Sequence, residues 1–219
     1  MGDEQAQLRR FYETEARENR RRSPKGLRVD LRDGYIDRLV SEGCRTLLDF
    51  GAGPGLDVRT FAGAGFDCVG LDLAIGNAVL GTREGLSIVP GSIVAPPFKD
   101  ASFDAGWSMS TLMHLADDAA VDAVTAMARV LRNGAPLMVG LWGSEAGRHV
   151  IETDAHGNPR PFHHRSPDRN RQILAAAGSI EHAQVLDLDR DGWQYQVFRV
   201  RVGHNLVPGT RSNTPGVRA

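Results

Sequence analysis

Acidic residues and glycines lie together in one short stretch of this chain, where they could hold a small ligand. Asp49 ends an apolar run in L-L-D-F-G-A-G-P-G, and Asp72 ends another in V-G-L-D-L. Alternating glycines at a strand end allow a ligand to approach the backbone closely. A helix beginning at Pro54 or Gly55 would direct its N–H groups toward a ligand anion. Asp72 is then placed to accept hydrogen bonds from ribose hydroxyls.

The spacing of the glycines separates two kinds of nucleoside site. A dinucleotide fingerprint, G-x-G-x-x-G, would have its third glycine where this chain has Leu56. The pattern D-x-G-x-G-x-G instead resembles the first motif of the class I S-adenosylmethionine-dependent methyltransferases, whose second strand ends in a ribose-binding acid. A nicotinamide oxidoreductase is the alternative that this spacing and the lack of a Tyr-x-x-x-Lys pair disfavour. Titration with NADH would test it.

A second segment supports the resemblance and also departs from it. Residues 91–104 read G-S-I-V-A-P-P-F-K-D-A-S-F-D, similar to the family's G-D-x-x-x-L-P-F-x-D-x-S-F-D. Ser92 stands where the family usually has an acid that binds the adenine amino group. A hydroxyl is a weaker, neutral partner. We therefore expect the backbone of Ser92 and Ile93 to contribute to the adenine contacts.

The resemblance implies a cofactor, S-adenosylmethionine, and a set of residues that bind it: Tyr12, Asp49, Gly51, Ala52, Gly53, Asp72, Leu73, Ser92, Ile93 and Ser108. Asp49 would face the ammonium and sulfonium end, and Gly51 and Gly53 would admit the amino-acid part. The N-terminal helices, with Tyr12 and the basic stretch near Arg28, would cover the site. The expected reaction is in-line methyl transfer to nitrogen or oxygen of a small molecule, for which alignment of the reactants contributes most.

His114 is the candidate general base. It lies in S-M-S-T-L-M-H-L, after the fourth predicted strand, where the family's small-molecule branch often has an H-L pair. An unperturbed imidazole titrates near neutral pH, as proton transfer from an acceptor requires. The alternative is structural, because a histidine at such a turn can simply cap a helix or bind a backbone carbonyl.

The sequence allows two interpretations of the acceptor side. His163, His164, Trp193 and Tyr195 could line an acceptor pocket, or the two aromatic residues could pack together in the core because they alternate along one strand. We expect no metal site, since the histidines lack a compact spacing with a carboxylate or thiolate.

Composition and motifs limit the remaining functions. The formal net charge is −1, so we expect no nucleic acid partner, although arginines are concentrated near the start. The fourth strand is not followed by the N/D-P-P-Y/F motif of nucleobase-amine methyltransferases. Cys44 and Cys68 form no disulfide framework, and no apolar run approaches membrane-spanning length. We therefore expect a cytoplasmic protein without a membrane partner, either a monomer or a homodimer.

Alternating helix and strand patterns predict an α/β fold. The expected Rossmann-like sheet has seven strands, mostly parallel with one antiparallel strand, with helices on both faces and two N-terminal cap helices. Residues 1–204 would be one methyltransferase domain, with a helical cap at 1–43 and a core at 44–204. We expect a fourth strand from Phe103 to about Ser110, and a long polar loop at 143–165. After the loop we expect a helix that Ser166 caps and that ends at Gly178, a hairpin turn at Asp191-Gly192 and a disordered tail at 205–219. A protein that binds the cofactor without turnover remains an alternative function.

Overall fold

The computed structural model describes residues 2–18, 26–187 and 192–203. Its helices and strands alternate along most of the chain. In order they are α1 (Gly2–Arg17), α2 (Leu27–Ser41), β1 (Thr46–Phe50), α3 (Leu56–Gly63), β2 (Asp67–Asp72), α4 (Ile75–Arg83), β3 (Ile88–Pro90), β4 (Ala105–Met109), α5 (Asp117–Val130), β5 (Pro136–Ser144), β6 (Arg148–Thr153), β7 (Pro159–His164), α6 (Pro167–Leu174), β8 (Gly178–Asp187) and β9 (Trp193–Val202).

Seven strands form the main sheet, in the order β3-β2-β1-β4-β5-β9-β8. Strands β1 to β5 pair in parallel, whereas β9 is antiparallel to both β5 and β8. This confirms the predicted Rossmann-like sheet with one antiparallel strand. From β1 the chain builds outward through β2 and β3 on one side, and then through β4 and β5 on the other. The reversal leaves a crevice at the carboxyl end of β1, where ligands bind in folds of this kind.

The two faces of the sheet have separate cores, because side chains alternate along each strand. Leu48 and Phe50 of β1 face the core that includes residues of α5 and α6. Leu47 faces the other core, with residues of α2 and α3. Helices therefore cover both faces, as predicted.

The two N-terminal helices pack against different parts of the fold. Helix α2 packs on the sheet through buried Tyr35 and Leu39. Helix α1 contacts α4 and β7. The carboxylate of Glu13 on α1 accepts hydrogen bonds from the backbone N–H groups of Ile75 (2.7 Å) and Gly76 (3.0 Å) in the first turn of α4. A carboxylate at a helix N-terminus is favourable, and here it joins the two helices.

The prediction of a long polar loop at 143–165 is wrong. Strand β5 extends to Ser144, and β6 and β7 form a two-stranded antiparallel sheet. Strand β6 is exposed along most of its length, so its sequence has no apolar alternation to reveal a strand. Asp154 stabilises the connecting turn by accepting hydrogen bonds from the backbone N–H groups of His156 (2.9 Å) and Asn158 (2.8 Å).

Other boundaries shift by a few residues. Strand β4 begins at Ala105 rather than at the expected Phe103, and α6 ends at Leu174 rather than at Gly178. Ser166 caps α6 as expected, because its hydroxyl oxygen accepts a hydrogen bond from the backbone N–H of Arg169 at 3.2 Å. Asp191 of the predicted hairpin turn and the 205–219 tail lie outside the described residues. In the described part of the chain, no helix is long and apolar enough to cross a membrane.

Tyr35 provides a test of how α2 is fixed to the sheet. Its hydroxyl lies 2.9 Å from the carbonyl oxygens of Gly106 in β4 and Pro136 in β5, in a fully buried position. Tyr35→Phe should lower the free energy of unfolding by about 1 kcal/mol, because a buried hydrogen bond is lost with little change in volume. Urea denaturation measures this. Ser41→Ala, which removes an exposed hydroxyl from the same helix, should change stability by less than about 0.5 kcal/mol; equal effects would contradict the assignment.

Candidate functional site

The glycine turn between β1 and α3 forms the centre of the site. The backbone N–H groups of Gly51 and Ala52 both donate to the carbonyl oxygen of Leu71, at 2.8 and 3.1 Å, which fixes the turn against β2. Gly51 has φ +80°, and a Cβ there would overlap the side chain of Thr111. Gly53 has φ +57°, and a Cβ there would meet no atom within 4 Å. Gly51 is therefore required by packing, whereas Gly53 borders open space where a ligand can approach.

Asp72 holds the same turn from the end of β2. Its carboxylate accepts hydrogen bonds from the backbone N–H groups of Gly53 (2.7 Å) and Ala74 (2.9 Å), and from the side-chain amide of Asn77 (3.0 Å). Burial raises the pKa of Asp72, and these three hydrogen bonds oppose the rise. Asp72 thus connects the glycine turn with the start of α4 and also lines the adjacent cavity.

This first cavity has a volume of about 120 Å³ and lies between α1 and the carboxyl ends of β1, β2 and β4. Four predicted cofactor residues besides the glycines and Tyr12 share it: Asp72, Leu73, Ser92 and Ile93. Gln5 and Leu8 of α1 form part of its wall. The hydroxyl of Ser92 donates to the side-chain oxygen of Gln5 at 3.3 Å, so a second polar side chain lies where the family's acid is missing.

A larger second cavity of about 570 Å³ adjoins the first. The two cavities share one set of wall residues: Tyr12, Gly51, Gly53, Asn77, Ser110 and His114. Ala52 and Arg28 line only the second cavity, together with residues of β5, β6, β7 and β9. Groups bound in the two cavities would therefore meet beside Tyr12 and His114.

Tyr12 and His114 form a hydrogen-bonded pair at this junction. The Tyr12 hydroxyl oxygen lies 2.9 Å from Nε2 of His114, and Nδ1 of His114 lies 2.8 Å from the carbonyl oxygen of Pro161. A carbonyl oxygen can only accept, so Nδ1 carries the proton. In the neutral ring Nε2 is then an acceptor, which receives the hydrogen bond donated by Tyr12. The arrangement orients the imidazole with its basic nitrogen toward Tyr12.

Arg160 is the charged neighbour of this pair. Its guanidinium lies between the rings of Phe11 and Phe162, at 4.7 and 4.6 Å from their centroids, and donates to Glu152 at 2.5 Å. Burial alone would lower the pKa of Arg160, but Tyr12 and Glu152 raise it above its usual value. The guanidinium therefore remains charged, and its charge favours negative character on the Tyr12 oxygen.

Asp57 fixes Arg28 beside the second cavity. The buried Asp57 carboxylate accepts hydrogen bonds from Arg28 (2.6 and 2.9 Å), from Arg32 (3.2 Å) and from the indole N–H of Trp107 (2.9 Å). Burial would lower the pKa of Arg28, but Asp57 raises it. This places a positive charge near the glycine turn, as the N-terminal basic stretch suggested.

Asp49 and Ser108 lie outside both cavity walls. The Asp49 side chain is buried, and this burial is the main cause that raises its pKa. The nearby Asp57 carboxylate raises the pKa further, and Arg28 opposes the rise. Its Oδ2 has no hydrogen-bond partner among the described residues. The Ser108 hydroxyl donates to the carbonyl oxygen of Phe50 at 3.2 Å. Both side chains belong to strand interiors, and Ser110, two residues after Ser108, reaches the cavities instead.

The residues expected on the acceptor side are divided. Trp193 and His164 line the second cavity, whereas Tyr195 is buried in a core, with its hydroxyl 3.5 Å from the sulfur of Met109. His163 stacks on His149, with ring centroids 4.4 Å apart, beside a separate surface cavity. Among the described residues, no three His, Cys, Asp or Glu side chains are grouped to hold a metal ion.

Sequence reasoning missed Gln5, Leu8, Asn77 and Ser110 among the residues that line the first cavity. Gln5 and Leu8 are far in sequence from the motif, and only the packing of α1 brings them to it. Leu8 and Tyr12 do share a helical spacing, which is the available signal. Asn77 and Ser110 each come shortly after a strand that ends at the site. This position in the sequence is the signal that could have identified them.

Comparison with known proteins agrees with this geometry. Residues 48–139 match the family model described as a methyltransferase domain. A protein of Encephalitozoon cuniculi that is named as a methyltransferase is 32% identical to this chain over 149 residues. The match covers 66% of this chain and 66% of that protein. Demethylmenaquinone methyltransferase of Renibacterium salmoninarum is 34% identical over 106 residues, which are 48% of this chain and 44% of that protein. The chain thus spans about two thirds of the first relative and less than half of the second.

The fold also matches solved structures. Burkholderia thailandensis 1,6-didemethyltoxoflavin-N1-methyltransferase, solved with 1,6-didemethyltoxoflavin and S-adenosylhomocysteine, has a TM-score of 0.71 and 20% identity. The match covers 90% of this chain and 88% of that one. Together, the motif, the sheet and the family model make this chain a member of the class I S-adenosylmethionine-dependent methyltransferases. S-adenosylmethionine is the methyl donor of this class.

The position of Asp72 gives a binding prediction. Asp72→Ala should weaken S-adenosylmethionine binding by about 1.5–3 kcal/mol, because it removes the charged hydrogen bonds that we expect to the ribose and the support of the glycine turn. Isothermal titration calorimetry measures the affinity, and circular dichroism checks the fold.

Asp67→Ala is the matched control for Asp72→Ala, because Asp67 is an exposed aspartate at the opposite end of the same strand. Its affinity for the cofactor should equal that of the wild type. A folded Asp72→Ala variant with unchanged affinity would remove the ribose assignment.

Proposed function

We propose that this protein transfers a methyl group from S-adenosylmethionine to a nitrogen or oxygen atom of a small molecule. The observation that carries the proposal is the shared wall of the two cavities, where Tyr12 and His114 lie beside the glycine turn. A nucleoside in the first cavity and an acceptor in the second would have their reacting ends at this junction. We further propose that residues 1–204 act as one methyltransferase unit, as a monomer or homodimer in the cytoplasm.

The residues of the first cavity suit the cofactor. Asp72 accepts hydrogen bonds at the strand end, and Gly53 leaves room for close approach to the backbone. Leu8, Leu73 and Ile93 supply an apolar wall for the base, with Ser92 and Gln5 as polar partners. When bound, S-adenosylmethionine supplies a methyl group on a positively charged sulfur.

In this proposal, Asp49 does not contact the cofactor directly. It lies in β1, two residues before Gly51, and its carboxylate interacts electrostatically with Arg28 and Asp72. We propose that it acts on the cofactor's ammonium and sulfonium end through the turn. Ser108 then supports the turn by its hydrogen bond to Phe50.

The acceptor's proton would leave through Tyr12 to His114. The Tyr12 oxygen takes the proton from the acceptor while its own proton passes to Nε2 of His114, along the 2.9 Å hydrogen bond. The carbonyl oxygen of Pro161 holds the imidazole in the required orientation. Arg160 favours the transient negative charge on Tyr12. His114 thus remains the base, and Tyr12 connects it to the acceptor.

The comparisons support a small-molecule acceptor. Two similar proteins are named for small acceptors, demethylmenaquinone and 1,6-didemethyltoxoflavin. The second cavity is bounded on several sides by residues of β5, β6, β7 and β9, as the concave sites of small ligands are. A duplex or a folded protein would not fit there.

Activity is tested by release of S-adenosylhomocysteine on incubation with S-adenosylmethionine and a panel of small amines, hydroxyl compounds and carboxylates. With a responding acceptor, His114→Ala and Tyr12→Phe should each lower kcat by about 10²–10⁴-fold, because proton removal matters in the transition state. Cofactor affinity should change little in the His114 variant.

His182→Ala is the control for these two variants, since His182 is exposed on β8 and remote from the cavities. Its turnover should match the wild type. A purely structural His114 would instead give a lower Tm with turnover within a few-fold of wild type. Tight cofactor binding with no product from any acceptor would favour a non-catalytic binding protein.

A further inference from the structure

We infer that the second cavity takes an uncharged, planar aromatic acceptor whose reacting hydroxyl or N–H is conjugated with its ring. This assignment rests on the methyl transfer proposed above and adds the class of acceptor. The evidence is an aromatic wall, defined as Trp142, Phe162, His164 and Trp193, together with the pairing of the cavity's two arginines with carboxylates.

The aromatic wall joins three strands around the cavity. Phe162 and His164 of β7 have nearly parallel rings, 5.3 Å apart with an angle of 11°. Trp193 of β9 meets His164 edge to face, with centroids 4.3 Å apart and an angle of 82°. Trp142 of β5 packs by its edge against Tyr195 and keeps 36% of its surface exposed. Flat rings that line a cavity in this way favour a flat ligand, because aromatic rings pair by stacking or by edge contact.

The two arginines that line the cavity are each paired with a carboxylate. Arg28 is paired with Asp57 at 2.6 Å, and Arg160 is paired with Glu152 at 2.5 Å. A phosphorylated or otherwise strongly anionic acceptor would have to compete with these carboxylates for the two arginines. A ligand without net charge can be desolvated at lower cost and leaves both pairs intact.

The base at the junction limits how weakly acidic the reacting group of the acceptor can be. A neutral histidine is well matched to a phenol-like hydroxyl, with a pKa of about 10, or to an acidic ring N–H. An aliphatic hydroxyl is far less acidic and would not give up its proton readily. In the reaction, the acceptor's oxygen or nitrogen bonds to the methyl carbon as the carbon–sulfur bond breaks. The sulfur keeps that electron pair, and the proton passes to His114 through Tyr12.

Three probes of similar size separate the possibilities: 2-naphthol, its saturated analogue decahydro-2-naphthol, and 2-naphthyl phosphate. Each is titrated calorimetrically into the protein, with and without S-adenosylhomocysteine. We expect 2-naphthol to bind at least roughly 10-fold more tightly than either other probe. Equal or tighter binding of the saturated alcohol or of the phosphate would overturn the inference, as would no binding of 2-naphthol.

Variants locate the binding on the aromatic wall. Trp142→Leu and Trp193→Leu should each weaken 2-naphthol binding roughly 3- to 10-fold and leave S-adenosylhomocysteine binding unchanged, which also shows that the variants fold. Ile151→Ala is the control, because Ile151 is exposed on the same hairpin and lies outside the cavity wall. Unchanged 2-naphthol affinity in both tryptophan variants would overturn the assignment.

The two levels of proposal fail separately. If the wild type does not bind S-adenosylhomocysteine, the proposed methyl transfer is wrong, while the probes alone still report on the cavity. If it binds S-adenosylhomocysteine but shows no preference for 2-naphthol, methyl transfer stands and the acceptor class is wrong.

Discussion

The buried carboxylate of Asp57 is the interaction on which the arrangement of the site depends. It is 1% exposed, and such a charge is tolerated in the interior only when donors surround it. Here the donors come from α2, through Arg28 and Arg32, and from β4, through Trp107. Since Asp57 itself lies in the first turn of α3, three elements are fixed relative to the glycine turn. Loss of one partner would leave a buried charge uncompensated, which typically costs about 3–5 kcal/mol.

The sheet and the cofactor side could be predicted because their signals are local. Apolar runs, the glycine spacing and the acid at Asp72 each lie within a few residues, and the strand order of the fold brings their ends together. The hairpin of β6 and β7 could not be predicted in the same way. Its strand pairing is made by backbone hydrogen bonds, and the exposed side chains of β6 give no periodic pattern.

The Tyr12 and His114 pair shows the same limit in the site itself. The two residues are separated by 102 positions, and the sequence suggested separate roles for them, one at the cofactor and one at the acceptor. Their contact depends on how α1 lies across the sheet edge, which no short motif encodes. The side chains of Asp49 and Ser108, which the sequence places at the cofactor, line neither cavity, because alternation along each strand turns them into the interior.

The contact between Glu13 and the start of α4 links ligand binding to the attachment of α1. Helix α1 provides Gln5, Leu8 and Tyr12 to the first cavity, so a ligand there contacts α1 on one side and the sheet edge on the other. Any molecule that binds only when α1 is in place stabilises that placement by mass action. The affinity of the cavity therefore depends in part on how firmly α1 is attached, and the Glu13 carboxylate at the N-terminus of α4 is one of those attachments.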